Sequence, residues 1–251
     1  MTGALVTGGA RRVGRAIVED LAANGHAVAI HCNSGVSEAE ALAAEIVARG
    51  GTAVVVPADL SRETEARGLI KQAGTALDRP VQLVVNNASV FERDEVGTFS
   101  TEVFDRHFAI HVKAPALIVQ EFAARLPRDH DGLVVNVIDQ RVLKPVPGFF
   151  SYGLSKSALH AATVTMAQAL APRIRVNAIG PGPTLPNSRQ SEADFAAQVD
   201  GLILGRGPEL GEFGATIRYL WEARSVTGQM IALDGGQHLA WQTPDVAGLR
   251  E

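Results

Sequence analysis

Short β-branched runs alternate with longer stretches rich in Ala, Leu, Glu and Arg along the whole chain. The apolar runs predict strands near Ala4–Thr7, Ala27–His31, Ala53–Val56, Leu83–Asn86, Leu133–Ile138, Arg175–Ala178 and Met230–Leu233. The segments between them carry apolar residues at helical spacing, for example over Ser37–Arg49, Thr101–Leu126 and Tyr152–Leu170. Strands alternating with crossover helices imply an α/β fold, a single Rossmann-type doubly wound parallel sheet of about seven strands with helices on both faces. The run Leu133-Val134-Val135-Asn136-Val137 is apolar on both sides, as a parallel sheet covered by helices requires. The stretch from Gly180 to Gly207 breaks the rhythm. It is rich in Pro, Gly and Ser and longer than an ordinary connection, which makes it a candidate substrate lid.

Composition narrows this only a little. With 251 residues and 46% hydrophobic content the chain can bury a sizeable core, and one domain over residues 1–251 is expected. A net charge of −4 gives no reason to expect nucleic acid. Cys32 stands alone, so no intrachain disulfide and no cysteine-based metal cluster is expected. The chain opens directly into a strand-like run, without a basic and apolar leader, and no apolar run reaches membrane-span length. A cytoplasmic protein is the expectation.

Candidate chemistry begins where the first strand enters Thr7-Gly8-Gly9-Ala10-Arg11-Arg12-Val13-Gly14-Arg15. Such a turn either holds a dinucleotide pyrophosphate on backbone N–H groups, with Gly8, Val13 and Gly14 closest to it, or only packs strand against helix. Arg11, Arg12 and Arg15 add cations in and after the turn. The second strand ends His31-Cys32-Asn33-Ser34, with no acid to hydrogen-bond a ribose 2′-hydroxyl. Cations without that acid favour NADPH over NADH, with His31, Asn33 and Ser34 beside the phosphate. The competing reading makes the arginines solvated charges at a helix start. Asp59-Leu60 closes the third strand and Asn86-Asn87-Ala88-Ser89 the fourth, both at carboxyl ends where open α/β sheets bind ligands. Asp59 either accepts from an adenine amino group or caps the next helix, a role that suits Ser61 better.

Tyr152 and Lys156 lie four residues apart, on one face of a predicted helix. A phenol near its ordinary pKa of ~10 is a poor acid–base group at neutral pH, and a neighbouring ammonium lowers it. Asp139 precedes the pair, where a serine hydroxyl usually completes such a site.

Thr7-Gly8 through Gly14, Asn86-Asn87-Ala88, Tyr152 with Lys156, Pro181-Gly182 and Leu233-Asp234-Gly235-Gly236 fall in the order and spacing of the short-chain dehydrogenase/reductase family, which the chain resembles over essentially its whole length. Within it, the chain looks most like the pteridine reductase branch, which includes dihydromonapterin and dihydrofolate reductases of this fold. Arg12 stands where the common loop has glycine, Ser89 and Phe91 follow Asn87-Ala88, and Asp139 takes the serine's place. The resemblance implies that Arg12 and Ser89 contact cofactor and pterin, that Phe91 stacks over the pterin ring, and that Asp139 and Tyr152 deliver a proton. It also implies that Lys156 anchors the nicotinamide ribose, that Pro181 and Gly182 run past the carboxamide, and that the chain forms a homotetramer packed through the Ala-rich run Ala158–Ala171.

The chemistry fits independently. A flat pterin suits stacking on Phe91 and offers edge donors that a carboxylate accepts better than a hydroxyl does. Reduction of a C=N bond needs hydride at carbon and a proton at nitrogen. His111 departs from the family, occupying the place of a helical asparagine used in proton relay. It either supports another relay or faces solvent beside His107. Leu185, Pro186 and Arg189 are further pocket candidates. Three functions are in play: an NADPH-dependent reductase of a pterin or dihydrofolate, a carbonyl or 3-oxoacyl thioester reductase, and a weakly catalytic NADPH sensor.

Overall fold

The computed structural model describes residues 1–186 and 190–243. Its strands are β1 (Gly3–Val6), β2 (Ala27–Cys32), β3 (Thr52–Pro57), β4 (Val81–Asn86), β5 (Gly132–Val137), β6 (Ile174–Pro181) and β7 (Met230–Leu233). They form one parallel sheet in the order β3-β2-β1-β4-β5-β6-β7. The order reverses between β1 and β4, so the carboxyl ends of those strands border the crevice where this architecture binds ligands.

Helices α1 (Arg12–Ala23), α2 (Val36–Ala48) and α8 (Leu210–Glu222) cover one face. There Ile17, Leu21, Leu42, Phe213 and Ile217 pack on Val6, Val28 and Leu133. The opposite face carries α3 (Glu63–Leu77), α5 (Ala114–Arg125) and α6 (Phe150–Leu170), with Leu69, Ile118, Phe122 and Ala167 packed on Leu5, Val84 and Val176. Helix α4 (Thr101–Phe108) and helix α7 (Glu192–Asp200) complete the set. Every residue of β1, β2 and β5 is buried, which explains why these segments read as unbroken apolar runs.

The structure departs from the sequence reading in three places. The helix expected over residues 101–126 is interrupted by a π-helical turn at Ala109–Lys113. Pro115 accounts for this: it lacks an N–H and its ring crowds the carbonyl four residues back, so the helix widens there. Strand β6 runs on through Gly180 to Pro181. A Cβ at Gly180 would meet the Met230 thioether at 3.1 Å, so glycine serves strand packing where it had read as a break. The candidate lid contains α7, started by a capping box in which Ser191 Oγ accepts the Asp194 N–H at 3.1 Å and Asp194 Oδ2 accepts the Ser191 N–H at 3.4 Å in return.

Candidate active site

The glycine turn is clamped from two sides. Gly8 N–H donates to His31 Nδ1 at 3.0 Å and Gly9 N–H to the His31 carbonyl at 2.9 Å. His31 Nε2–H donates to the Ala58 carbonyl at 3.0 Å, so the ring is neutral, and burial lowers its pKa further. His31, expected beside a cofactor phosphate, is therefore a buried support of the loop with both ring nitrogens occupied. From the other side, Asn87 Nδ2 donates to the carbonyls of Thr7 (2.9 Å) and Gly8 (3.1 Å), while Asn87 and Ala88 N–H groups both donate to Thr7 Oγ1. Gly14 sits so close that a Cβ there would lie 2.1 Å from the Gly8 carbonyl oxygen and 2.6 Å from Asn87 Nδ2.

With Gly8 and Gly9 amides taken, the open amides belong to the first turn of α1, which has no side-chain cap and no acidic residue. A bare helix N-terminus of this kind fits a pyrophosphate. Arg11 reaches over the start of α2 and pairs with the exposed Glu38, placing one cation near the end of β2, where Asn33 and Ser34 are exposed. Arg15 is turned away, bonded to Glu19 at 3.0 Å and Glu45 at 2.7 Å. Asp59 Oδ1 accepts from both N–H and Oγ–H of Ser61, and these bonds lower its pKa. The N-cap of α3 is Arg62, so Ser61 closes the Asp59 turn and does not cap the helix. Leu60 buries its side chain in the core and leaves only backbone at the sheet edge.

Arg12 adopts φ 52°, the left-handed region that the usual glycine of this loop would occupy without strain. Its guanidinium crosses to the lid and donates to the carbonyls of Pro186 (3.0 Å) and Leu185 (3.2 Å). Arg189 lies outside the described residues.

A cavity of about 500 Å³ opens between this loop, the end of β5 and the lid. Arg12, Val13, Phe91, Asp139, Tyr152, Pro181 and Gly182 line it, and all seven are among the residues singled out in the sequence. Gln140, Arg141, Gln190, Phe195, Gln198 and Gln237 also line it and carried no recognisable motif. Gln140 is 4% exposed, and its Oε1 has no hydrogen-bond partner among the described residues.

At the cavity floor the Tyr152 phenol donates to Asp139 Oδ2 at 2.9 Å. Burial raises the phenol's pKa well above its ordinary value, and the Asp139 charge and hydrogen bond raise it further. The cation that opposes this is Arg141. Lys156, expected to lower the phenol's pKa, donates instead to the Val137 carbonyl at 2.9 Å and sits 5.7 Å from the Tyr152 ring centroid. Its own pKa falls to about 8, chiefly through burial and against the pull of Asp139. Phe91 stacks on Phe149 with ring centroids 4.3 Å apart and meets the edge of Tyr152 at 4.8 Å.

His111 and His107 do not face solvent. They are 1% and 0% exposed, and each bridges the helix from residue 101 to α6 and to the loop after β4. His111 Nε2 accepts from Val90 N–H at 3.1 Å and from the Ser89 hydroxyl at 2.9 Å, and Nδ1–H donates to Ser155 Oγ at 2.8 Å. His107 repeats the pattern with Glu92 N–H at 3.3 Å and Ser151 Oγ at 2.7 Å, and Ser151 passes its hydrogen to Asp94. Both rings are neutral in this network, with pKa values lowered mainly by burial.

The model of the family described as short chain dehydrogenase matches residues 2–196. FolM alternative dihydrofolate reductase 1 from Brucella suis, solved in complex with NADP, is 61% identical over 98% of both chains, with a TM-score of 0.95. Its counterpart from Brucella canis, also complexed with NADP, is 60% identical over 98% of both chains, with a TM-score of 0.93. An oxidoreductase of Methylorubrum extorquens is 31% identical over 241 residues, 93% of this chain and 96% of that one. The chain belongs to the short-chain dehydrogenase family.

Proposed function

We propose that this chain is an NADPH-dependent reductase of a pterin or dihydrofolate-type substrate. The observation that carries the reading is the 2.9 Å hydrogen bond from Tyr152 to Asp139 at the floor of a cavity also lined by Arg12 and Phe91. The similarity to two NADP-bound FolM proteins supports it. Bound NADPH supplies hydride to the carbon of the C=N bond. The uncapped start of α1 takes the pyrophosphate, Arg11 with Asn33 and Ser34 faces the 2′-phosphate, and Asp59 with Leu60 borders the adenine. Lys156, Asn87, Ala88, Pro181 and Gly182 hold the nicotinamide end. Tyr152 gives the proton to the pterin nitrogen and is reprotonated from solvent, while Asp139 holds the phenol in place and accepts from the pterin's edge donors. Phe91 and Ser89 bound the ring on the side of the loop after β4.

The whole chain acts as one cofactor-binding domain closed by the lid near residues 180–207, in the cytoplasm. Exposed Leu154 and Val164 on α6 suit the packing of that helix against another copy in a homotetramer. No helix among the described residues is long and apolar enough to cross a membrane.

The test follows NADPH oxidation with dihydrobiopterin, dihydromonapterin, dihydrofolate and a 3-oxoacyl thioester in parallel. Turnover of the pterin or folate substrates is expected. Turnover confined to the thioester would make Asp139 a tolerated substitution and the chain a carbonyl reductase.

A further inference from the structure

Arg141 was invisible as chemistry in the sequence, yet among the described residues it is the cation nearest the proton-delivering pair. Its Nη1 donates to Asp139 Oδ2 at 2.9 Å, the same oxygen that accepts the Tyr152 phenol, and its backbone N–H donates to Oδ1 at 2.8 Å. The guanidinium carbon lies 5.5 Å from the Phe91 ring centroid and 5.4 Å from that of Phe149, so the aromatic pair fixes it from a second direction. The ion pair is largely sheltered, with side-chain exposures of 22% for Arg141 and 12% for Asp139. At such a site a charge-assisted bond is little screened by water.

We propose that Arg141 is a positioning residue that orients Asp139 toward Tyr152 and sets the pH range over which the pair holds and passes its proton. The proposal rests on the assignment of Asp139 and Tyr152 as the proton-delivering pair. The other charged or titratable groups around the pair play different parts. Lys156 on α6 donates to the Val137 carbonyl and feels the Asp139 charge without bonding to it, His107 and His111 are neutral in their serine networks, and Arg12 from the glycine turn is bound to lid carbonyls. Among the described residues the lid side of the cavity contributes Gln190 and Gln198 but no charge. Removing the Arg141 charge therefore takes away the cation that opposes the rise in the Tyr152 pKa and leaves the phenol with higher proton affinity.

Arg141→Gln and Arg141→Lys are compared with the wild type in pH profiles of kcat and kcat/KM, using whichever of the four substrates turns over fastest. Arg141→Gln should lower kcat and move the profile upward by about one pH unit or more. Arg141→Lys should keep the profile near that of the wild type, since it retains the charge. A second readout needs no turnover. In a Tyr219→Phe background Tyr152 is the sole tyrosine, and its phenolate absorbance should titrate at higher pH after Arg141→Gln. Unchanged profiles and an unchanged phenolate titration would overturn the proposal, as would equal losses in both variants without any shift. If the pterins fail as substrates while the thioester turns over, the functional reading falls, and the same comparison still judges Arg141.

Discussion

Asp139 Oδ2 accepts two hydrogen bonds at once, from the Tyr152 phenol and the Arg141 guanidinium. An acceptor so placed holds the phenol's hydrogen in one direction, and a serine hydroxyl at this position carries no charge to do the same. Asp139→Ser should therefore lower kcat for a pterin by about 10²-fold or more, the usual worth of one positioned acid–base group, while NADPH affinity stays the same. Parallel steady-state kinetics and fluorescence titration with NADPH separate the two, and unchanged turnover would refute the assignment. That Asp139 and Tyr152 would meet was legible in the sequence because both lie in one stretch, whereas the bond from Lys156 to the Val137 carbonyl was not read. Arg141 was not legible either, because an arginine after a strand reads as a solvated turn residue. What makes it more than that is its approach to Phe91 and Phe149, residues from separate segments that only the fold unites.

Between elements, the informative link is Arg12, which ties the start of α1 to the lid carbonyls at the cost of a left-handed backbone. Arg12→Gly relieves that strain but loosens the unfolded chain, so the two effects offset and stability should change by less than about 1 kcal/mol. The tether itself is lost. KM for the substrate should rise roughly tenfold, the worth of about one net hydrogen bond, with urea unfolding little altered. An unchanged KM would show that the lid holds its place without Arg12. The strands were legible to within a few residues because burial on both faces leaves continuous apolar runs. The π-helical turn was not read, although Pro115 marked it, because the apolar spacing continues through the break. Helix α7 was hidden by the Pro, Gly and Ser residues around it, whose turns and capping box make the helix possible.

At the scale of the whole molecule, His26, His31, His107 and His111 are all buried, and burial is the first cause lowering the pKa of each. In the unfolded chain each histidine titrates near ~6.5. Folded pKa values below that mean the unfolded state binds more protons as pH falls. The associated stability is fully present above about pH 6.5 and is lost progressively below it, at up to about 1.4 kcal/mol per pH unit for each histidine. Urea unfolding at about pH 7.5 and about pH 5.5 should show a marked drop, well above the range where carboxylates protonate. Equal stability at the two values would mean that the histidines take up protons as readily in the folded state as in the unfolded one. None of this burial was legible, since a histidine's surroundings come from the other strands and helices packed against it. The crowding of Gly14 against Gly8 and Asn87 has a separate consequence, for comparing chains. A residue whose missing side chain leaves room for two other segments is held fixed by the architecture alone, so it identifies the fold and carries nothing about the substrate. Residue 12, where a side chain is tolerated at a modest backbone cost, is the place to look when related chains are sorted by what they reduce.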